Sequence, residues 1–538
     1  MTPIFGLCDD YVVKWAALDP VAAGMRGIVG DLGAATDYSP DGYAARASLI
    51  GATLVELAGL PVTSKADRRA ADHLRERLEA EAAWHASGEP LRALRAPFGL
   101  VSQIRDSVEL LPRGDDQRWR GVASRMAAIP GMLASWRTSL DAGLGRGLAA
   151  ARRQALEAAV QADRYSEGTH TALVGAYGDG PLAGELAEAA AAAHAGYADT
   201  ARYLRESYAP MAGERDAVGP DRYAVAARQS LGADIDPADA YAWGWEELRR
   251  IEAEMAREAD RIRAGTSVDE AVALLDGSEY VDGPDAYRAW LQERHDRALD
   301  QLHGTHFDIA EPLRTIEVTL ALGSTSGAAY YTPPSEDLTR PGRTWWPLGG
   351  RERFATWAEL STVFHEGVPG HHLQNGATRV AGDRLSRFAK FTGVSGHGEG
   401  WALYAERLAD ELGWFSDPGT RLGMLGASAL RAARVVIDIG VHLDLPLPDG
   451  SSWSFEKALE VLRERGRAEP HRVHAEVVRY FGWPAQAISY KLGERAWLAA
   501  RDEARRRPDF DLKRWHTAAL DLGPIGLHGL AEALRRID

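Results

Sequence analysis

Apolar residues recur at helical spacing through most of the first 300 residues. Strand alternation is confined to one short window after them, so the chain is constrained to a mainly helical fold with a small sheet set into it. Helices are predicted over residues 44–58, 68–86, 147–163, 182–208 and 239–264. The stretch WGWEELRRIEAEMAREADRI is strongly amphipathic, with opposite charges four residues apart. Between about Pro312 and Pro347 the pattern changes. Ile316, Val318 and Leu320 alternate with Thr315, Glu317 and Thr319, and the aromatic segments GAAYYTPPS and RTWWPLGG follow, broken by Gly and Pro. This predicts a small antiparallel sheet. It is either a plain structural hairpin or a platform whose edge strand pairs with an extended peptide.

A chain of 538 residues exceeds one typical core, so two or more substructures are expected, with a division near residue 305. The net charge of −15 argues against nucleic acid or an anionic membrane as the main partner. Cys8 is the single cysteine, which rules out an internal disulfide and a cysteine-rich metal site. The start of the chain lacks a basic segment followed by a long apolar one, and no apolar run approaches the roughly 20 residues that span a bilayer. A cytoplasmic location is expected.

Helical patterning resumes at Arg353 and soon meets HEGVPGHHLQ, residues 365–374. It opens like the H-E-x-x-H helix, in which two histidines one turn apart bind zinc and the glutamate serves as general base. Here Pro369 stands where the second histidine belongs. In a straight helix His371 would lie about 9 Å along the axis from His365 and roughly 120° off its face, and His372 about 10.5 Å along. Zinc–nitrogen bonds are about 2.0–2.1 Å, so neither pair would ligate one ion. Pro369 removes a helical hydrogen bond and clashes with the carbonyl of His365, while Gly367 and Gly370 tolerate unusual dihedrals. A bulged helix that returns a histidine towards His365 is therefore expected. Either His371 or His372 is then the second ligand. Gly370–His371 resembles the G-H that ends many HExGH motifs, which makes His371 the expected one and His372 the alternate, and Glu366 is the general base.

A third ligand is expected from SGHGEGWALYAERLADELG, where Glu399 sits between glycines. Glu406, two turns on, is read as a partner orienting a ligating histidine or as a plain structural carboxylate. His397 contacts substrate or lies in a loop. In RVVIDIGVHLDL, Arg434, Asp438 and His442 form one polar stripe on an apolar helix, which is either a buried salt-bridge network or a set that turns His442 towards the reacting carbonyl. The segment HAEVVRYFGWPAQAISYKLGERAW offers Arg479 and Lys491 for a substrate carboxylate.

These blocks together resemble a bacterial family of unknown function marked by HExxPGHH, then EGWALYAE, then R-x-x-x-D-x-G-x-H and P-x-Q-A-x-S-Y-K-x-G. The likeness is specific over roughly residues 310–495 and looser before them. The family is in turn similar to the gluzincin metallopeptidases of the angiotensin-converting-enzyme, oligopeptidase and thermostable-carboxypeptidase groups. The resemblance implies an elongated helical body with a deep channel. Residues 1–305 would form one side, and residues 306–538 would carry the small sheet and one Zn2+ held by His365, His371 and Glu399. It also implies Tyr490 as a phenol stabilising the transition state beside Glu366 and His442, and Tyr330 and Tyr331 of the GAAYYTPPS block as substrate-facing residues. The expected activity is hydrolysis of short peptides. A metal-dependent amidase or esterase acting on another small molecule, and a catalytically silent scaffold with a vestigial metal site, stay open as alternatives.

Overall fold

Five helices form close to where periodicity predicts them, at Pro40–Gly59, Lys65–Ala86, Arg152–Ser166, Ala183–Tyr203 and Pro237–Ile262. Their starts follow from the sequence, since Ser39, Ser64 and Asp236 each turn a side-chain oxygen back to a free backbone N–H. The third begins later than expected, because Gly147 takes a left-handed conformation and the helix opens only at Arg152. The computed structural model describes residues 1–28, 30–321, 328–335 and 337–537.

By its internal contacts the chain forms two units. The first comprises Met1–Gln229, Val441–Asp444 and Ala475–Pro484, and the second comprises Ser230–Gly440, Leu445–His474 and Ala485–Asp538. The boundary expected near residue 305 falls inside the second unit.

The first unit is built of helices. Arg152–Ser166 turns Ala155, Ala158, Ala159 and Ala162 inward, and Ala183–Tyr203 answers with Leu186, Ala193, Tyr197 and Ala201, all with no exposed surface. Methyl-sized side chains let these axes approach closely. Where the second helix meets Asp116–Leu144, a Cβ on Gly196 would stand 3.0 Å from the Cα of Pro130. Only a glycine fits that approach without displacing backbone.

The second unit holds all the strands among the described residues. Strands β1 (Tyr280–Asp282) and β5 (Arg353–Ala355) pair antiparallel, and β2 (Ile316–Ala321), β3 (Tyr330–Thr332) and β4 (Gly342–Pro347) form a sheet in the order β2-β4-β3. The expected antiparallel sheet is thus mixed, since β2 runs parallel to β4 and β3 antiparallel to it. The chain between β2 and β4 is long enough for the crossover that a parallel pair needs, and β3 lies within it. The alternation read from sequence holds, with Ile316 and Val318 buried.

Two helices of this unit, Ser395–Glu411 and Ser489–Ala504, meet through glycines. A Cβ on Gly400 would fall 2.4 Å from the carbonyl carbon of Gly493, and one on Gly493 would fall 2.1 Å from the oxygen of Gly396. Main chain rests on main chain there. Beneath the crossing Trp401 packs edge-on against Trp497, with ring centres 5.0 Å apart, and Trp497 against Trp515 at 6.2 Å.

Candidate metal centre

The motif does not bulge; it breaks and restarts. One helix, Thr356–Glu366, ends at Gly367, and a second, His371–Val380, begins at the expected ligand itself. The Val368–Pro369 peptide between them is cis. Pro369 cannot donate to the His365 carbonyl, so the ladder is replaced by longer reaches, from Gly370 N to Phe364 O at 3.0 Å and from His372 N to Gly367 O at 3.0 Å. Gly370 passes so close to the first helix that a Cβ would lie 2.0 Å from the His365 oxygen. The Trp401 indole donates to the Pro369 carbonyl at 3.0 Å, fixing the break to the helix that carries Glu399.

This path brings His365 and His371 ring to ring, with centres 5.0 Å apart and planes 84° to one another. Their Nε2 atoms stand 3.3 Å and 3.7 Å from Glu399 Oε2. The ligand atoms of His365, His371 and Glu399 all lie within 4.8 Å of one another, and this group could hold a metal ion. Donors about 2.05 Å from one tetrahedral ion are separated by about 3.4 Å, close to the two distances from Glu399 to the histidines. Glu399 Oε2 is buried yet makes no well-aligned hydrogen bond, so the three donors converge without satisfying each other. Two imidazoles and a carboxylate suit zinc and accept other divalent ions.

Behind His365, Glu406 Oε1 lies 2.8 Å from Nδ1. Since the carboxylate accepts, Nδ1 carries the proton and Nε2 turns its lone pair to the ligand group. Ser361 donates to the other Glu406 oxygen, and Arg431 approaches within 3.6 Å. Burial alone would lower the pKa of His365, but Glu399 and Glu406 outweigh it and push it up to about 9. Burial works to raise Glu399, yet the two imidazoles hold it well below the carboxylate range. Glu406 is also lowered, because Arg431, His365 and Ser361 overcome its burial. The site is therefore a field that favours positive charge at its centre. Glu366, half-buried and next to the first ligand, has its pKa raised by burial, with His365 and His371 opposing.

The other residues predicted for the site divide. Tyr490 stands beside it, its ring stacked 6.4 Å from that of His365 and its face covered by the Arg434 guanidinium at 4.5 Å. Tyr331 reaches the buried His372, with its hydroxyl 3.0 Å from Nδ1, so the alternate ligand points away from His365. Tyr330 is part-exposed and stacks on Trp345 at 5.8 Å. His397 is buried edge-on against Trp497 at 5.1 Å, with its pKa lowered by burial to about 4.

Three residues are engaged in contacts of their own. Lys491 is buried, its ammonium 2.8 Å from Glu247 and paired with Glu494, which commits it to a structural ion cluster in place of a substrate carboxylate. Arg479 belongs to the first unit, where it faces Glu476 at 3.5 Å. His442 also groups with the first unit, and its Nε2 donates to the Tyr480 carbonyl at 2.9 Å, so this imidazole is committed to backbone. Asp438, midway along the same stripe, accepts from the Ala485 N–H at 2.9 Å.

Sequence reasoning missed Ser361 and Arg431. Ser361 stands one turn before His365 on the same face, and Arg431 one turn before Arg434. Extending either pattern backward by one turn finds them.

The chain belongs to the family described as bacterial protein of unknown function (DUF885), whose sequence profile matches residues 20–534. It is similar in structure to a candidate lipoprotein from Colwellia psychrerythraea, with TM-score 0.85 and 20% identity over 99% of this chain and 98% of that one. A candidate lipoprotein of unknown function from Shewanella oneidensis matches with TM-score 0.76 and 16% identity over the whole of both chains. These likenesses establish the shared fold. No curated protein matches the chain. Among the described residues, no helix is long and apolar enough to cross a membrane.

Proposed function

We propose that this chain is a zinc-dependent hydrolase whose substrates are short peptides, as in the gluzincin metallopeptidases. The observation that carries the reading is the convergence of His365 Nε2, His371 Nε2 and Glu399 Oε2, with Glu366 next in sequence to the first of them. A divalent ion held by these three would supply Lewis-acid polarisation of a carbonyl. Glu366 then takes the proton from an attacking water at its carboxylate and returns it to the leaving amine, a task suited to a carboxyl whose pKa burial has raised. The Tyr490 hydroxyl is the donor to the developing oxyanion, and its stacking beside His365 favours that role. The strand β3, with Tyr330 and Tyr331, offers an extended peptide a short edge to lie along. The two similar structures are described as lipoproteins, which favours a cell-envelope location over the cytoplasmic one expected from sequence; cell fractionation reads which holds.

The test is metal analysis of protein purified without chelator, followed by digestion of a peptide library. One zinc per chain and cleavage of short peptides are expected. A clean negative on peptides with turnover of other amides or esters transfers the reading to a non-peptide hydrolase. A chain that cannot be loaded with Zn2+, Mn2+ or Co2+ overturns it.

A further inference from the structure

The histidine that does not join the ligand group is fully buried and uses both ring nitrogens. His372 Nε2 lies 2.8 Å from the carbonyl oxygen of Leu313, and Nδ1 lies 3.0 Å from the Tyr331 hydroxyl. A carbonyl only accepts, so Nε2 carries the ring proton, and Nδ1 must then accept from Tyr331. One imidazole thus ties three pieces together. These are the first turn of the helix that opens with His371, the turn Glu311–Leu313 just ahead of β2, and strand β3.

Gly342, the first residue of β4, passes directly against this bond. A Cβ there would stand 2.2 Å from the Tyr331 hydroxyl oxygen and 2.7 Å from His372 Nδ1. The sheet thus leaves room for the bond at a position where a side chain would displace it. His371 and His372 are neighbours, so their rings leave the helix in different directions, one to the ligand group and one to the sheet.

We infer that His372 is a positioning residue, a latch that holds the β2-β4-β3 sheet in register with the ligand group. Occupation of His371 is thereby felt at β3. The inference deepens the hydrolase reading, because it names what aligns the peptide-facing edge with the reacting centre. The coupling itself does not require turnover.

The test uses the full chain with Tyr331→Phe, which deletes the donor, and Gly342→Ala, which displaces it while keeping both partners. Zinc affinity is measured by competition with a chromophoric chelator, and amide hydrogen exchange is followed with and without one equivalent of Zn2+. Zinc affinity within about threefold of wild type is expected in both variants. In wild type, zinc slows exchange in β3 and β4 several-fold. In the variants that slowing is lost, while the helix His371–Val380 is still protected. The double variant behaves like either single one, because both remove the same bond. If peptides are cleaved, KM rises roughly tenfold with kcat within about twofold.

Loss of the zinc equivalent in either variant overturns the inference, since the bond would then serve ligation. Zinc-dependent slowing of the sheet that persists in both variants overturns it as well. Absence of hydrolysis sinks only the hydrolase reading, because exchange and affinity are read without turnover. A wild-type chain whose sheet exchanges at the same rate with and without zinc overturns the latch alone.

Discussion

His365 and Glu406 meet at 2.8 Å on the side of the imidazole that faces away from Glu399. This contact decides the ring's tautomer and so which nitrogen is left to bind. It links two helices, Thr356–Glu366 and Ser395–Glu411, the second of which also carries Glu399.

Glu406→Gln is therefore expected to weaken zinc binding by about 10–100-fold, the usual effect of disturbing a partner that orients a ligating histidine. A competition titration against a chelator of known affinity measures it. An affinity within twofold of wild type would reduce Glu406 to a structural carboxylate.

Glu366→Gln keeps its size and touches none of the three ligand atoms. Zinc stoichiometry is expected to stay at wild type while kcat falls by at least about 100-fold, the lower end for loss of a general base. Retained turnover would remove Glu366 from its assigned role.

Gly400→Ala places a methyl against main chain, where no rotamer change relieves it. The expected result is a loss of about 1–3 kcal/mol in denaturant unfolding, together with weaker zinc binding, because the crossing helices carry Glu399 and Tyr490. An unchanged denaturation midpoint would show that the helices separate freely.

Acid should unfold the protein through its buried neutral histidines. Burial lowers His442 to about 4 and His516 to about 3, against an ordinary value near 6.5. His516 Nδ1 donates to the His306 carbonyl at 3.1 Å, and its Nε2 accepts from the Tyr404 hydroxyl at 2.6 Å. Both folded-state values are depressed, so the stability is fully present above about pH 6.5. It is lost as pH falls towards 4 and then 3, by roughly 3 kcal/mol for His442 alone. Urea melts across this range measure the slope. His516→Gln should make it shallower by up to one proton, and an unchanged slope would place the acid sensitivity elsewhere.

Much of the site was legible because its chemistry depends on spacing along the chain. Pro369 and its flanking glycines signalled that the ordinary helix could not continue, and Glu399 was marked by glycines that admit close backbone contact. The form of the departure was not legible. A bulge and a full stop followed by a new helix obey the same local rules, and packing against Trp401 is what holds the second form. The Tyr480 carbonyl that takes His442 Nε2 was not legible, because a polar stripe reads as one surface. Yet Arg434 and His442 are about 12 Å apart along the helix, too far to serve one point. Lys491 misled in a different way: its i,i+3 partner Glu494 lies on the same helix and was legible, but the Glu247 carboxylate arrives from a distant position. The parallel pairing of β2 with β4 was hidden because alternation reports which face is buried and says nothing of direction.

At residues 400 and 493 two helices meet main chain to main chain, with Trp401 and Trp497 packed beneath the contact. Glu399 and Tyr490 flank it, one on each helix, so backbone rather than any rotamer sets how far apart they are held. The corner where the helices touch works as the fixed jaw of a vise.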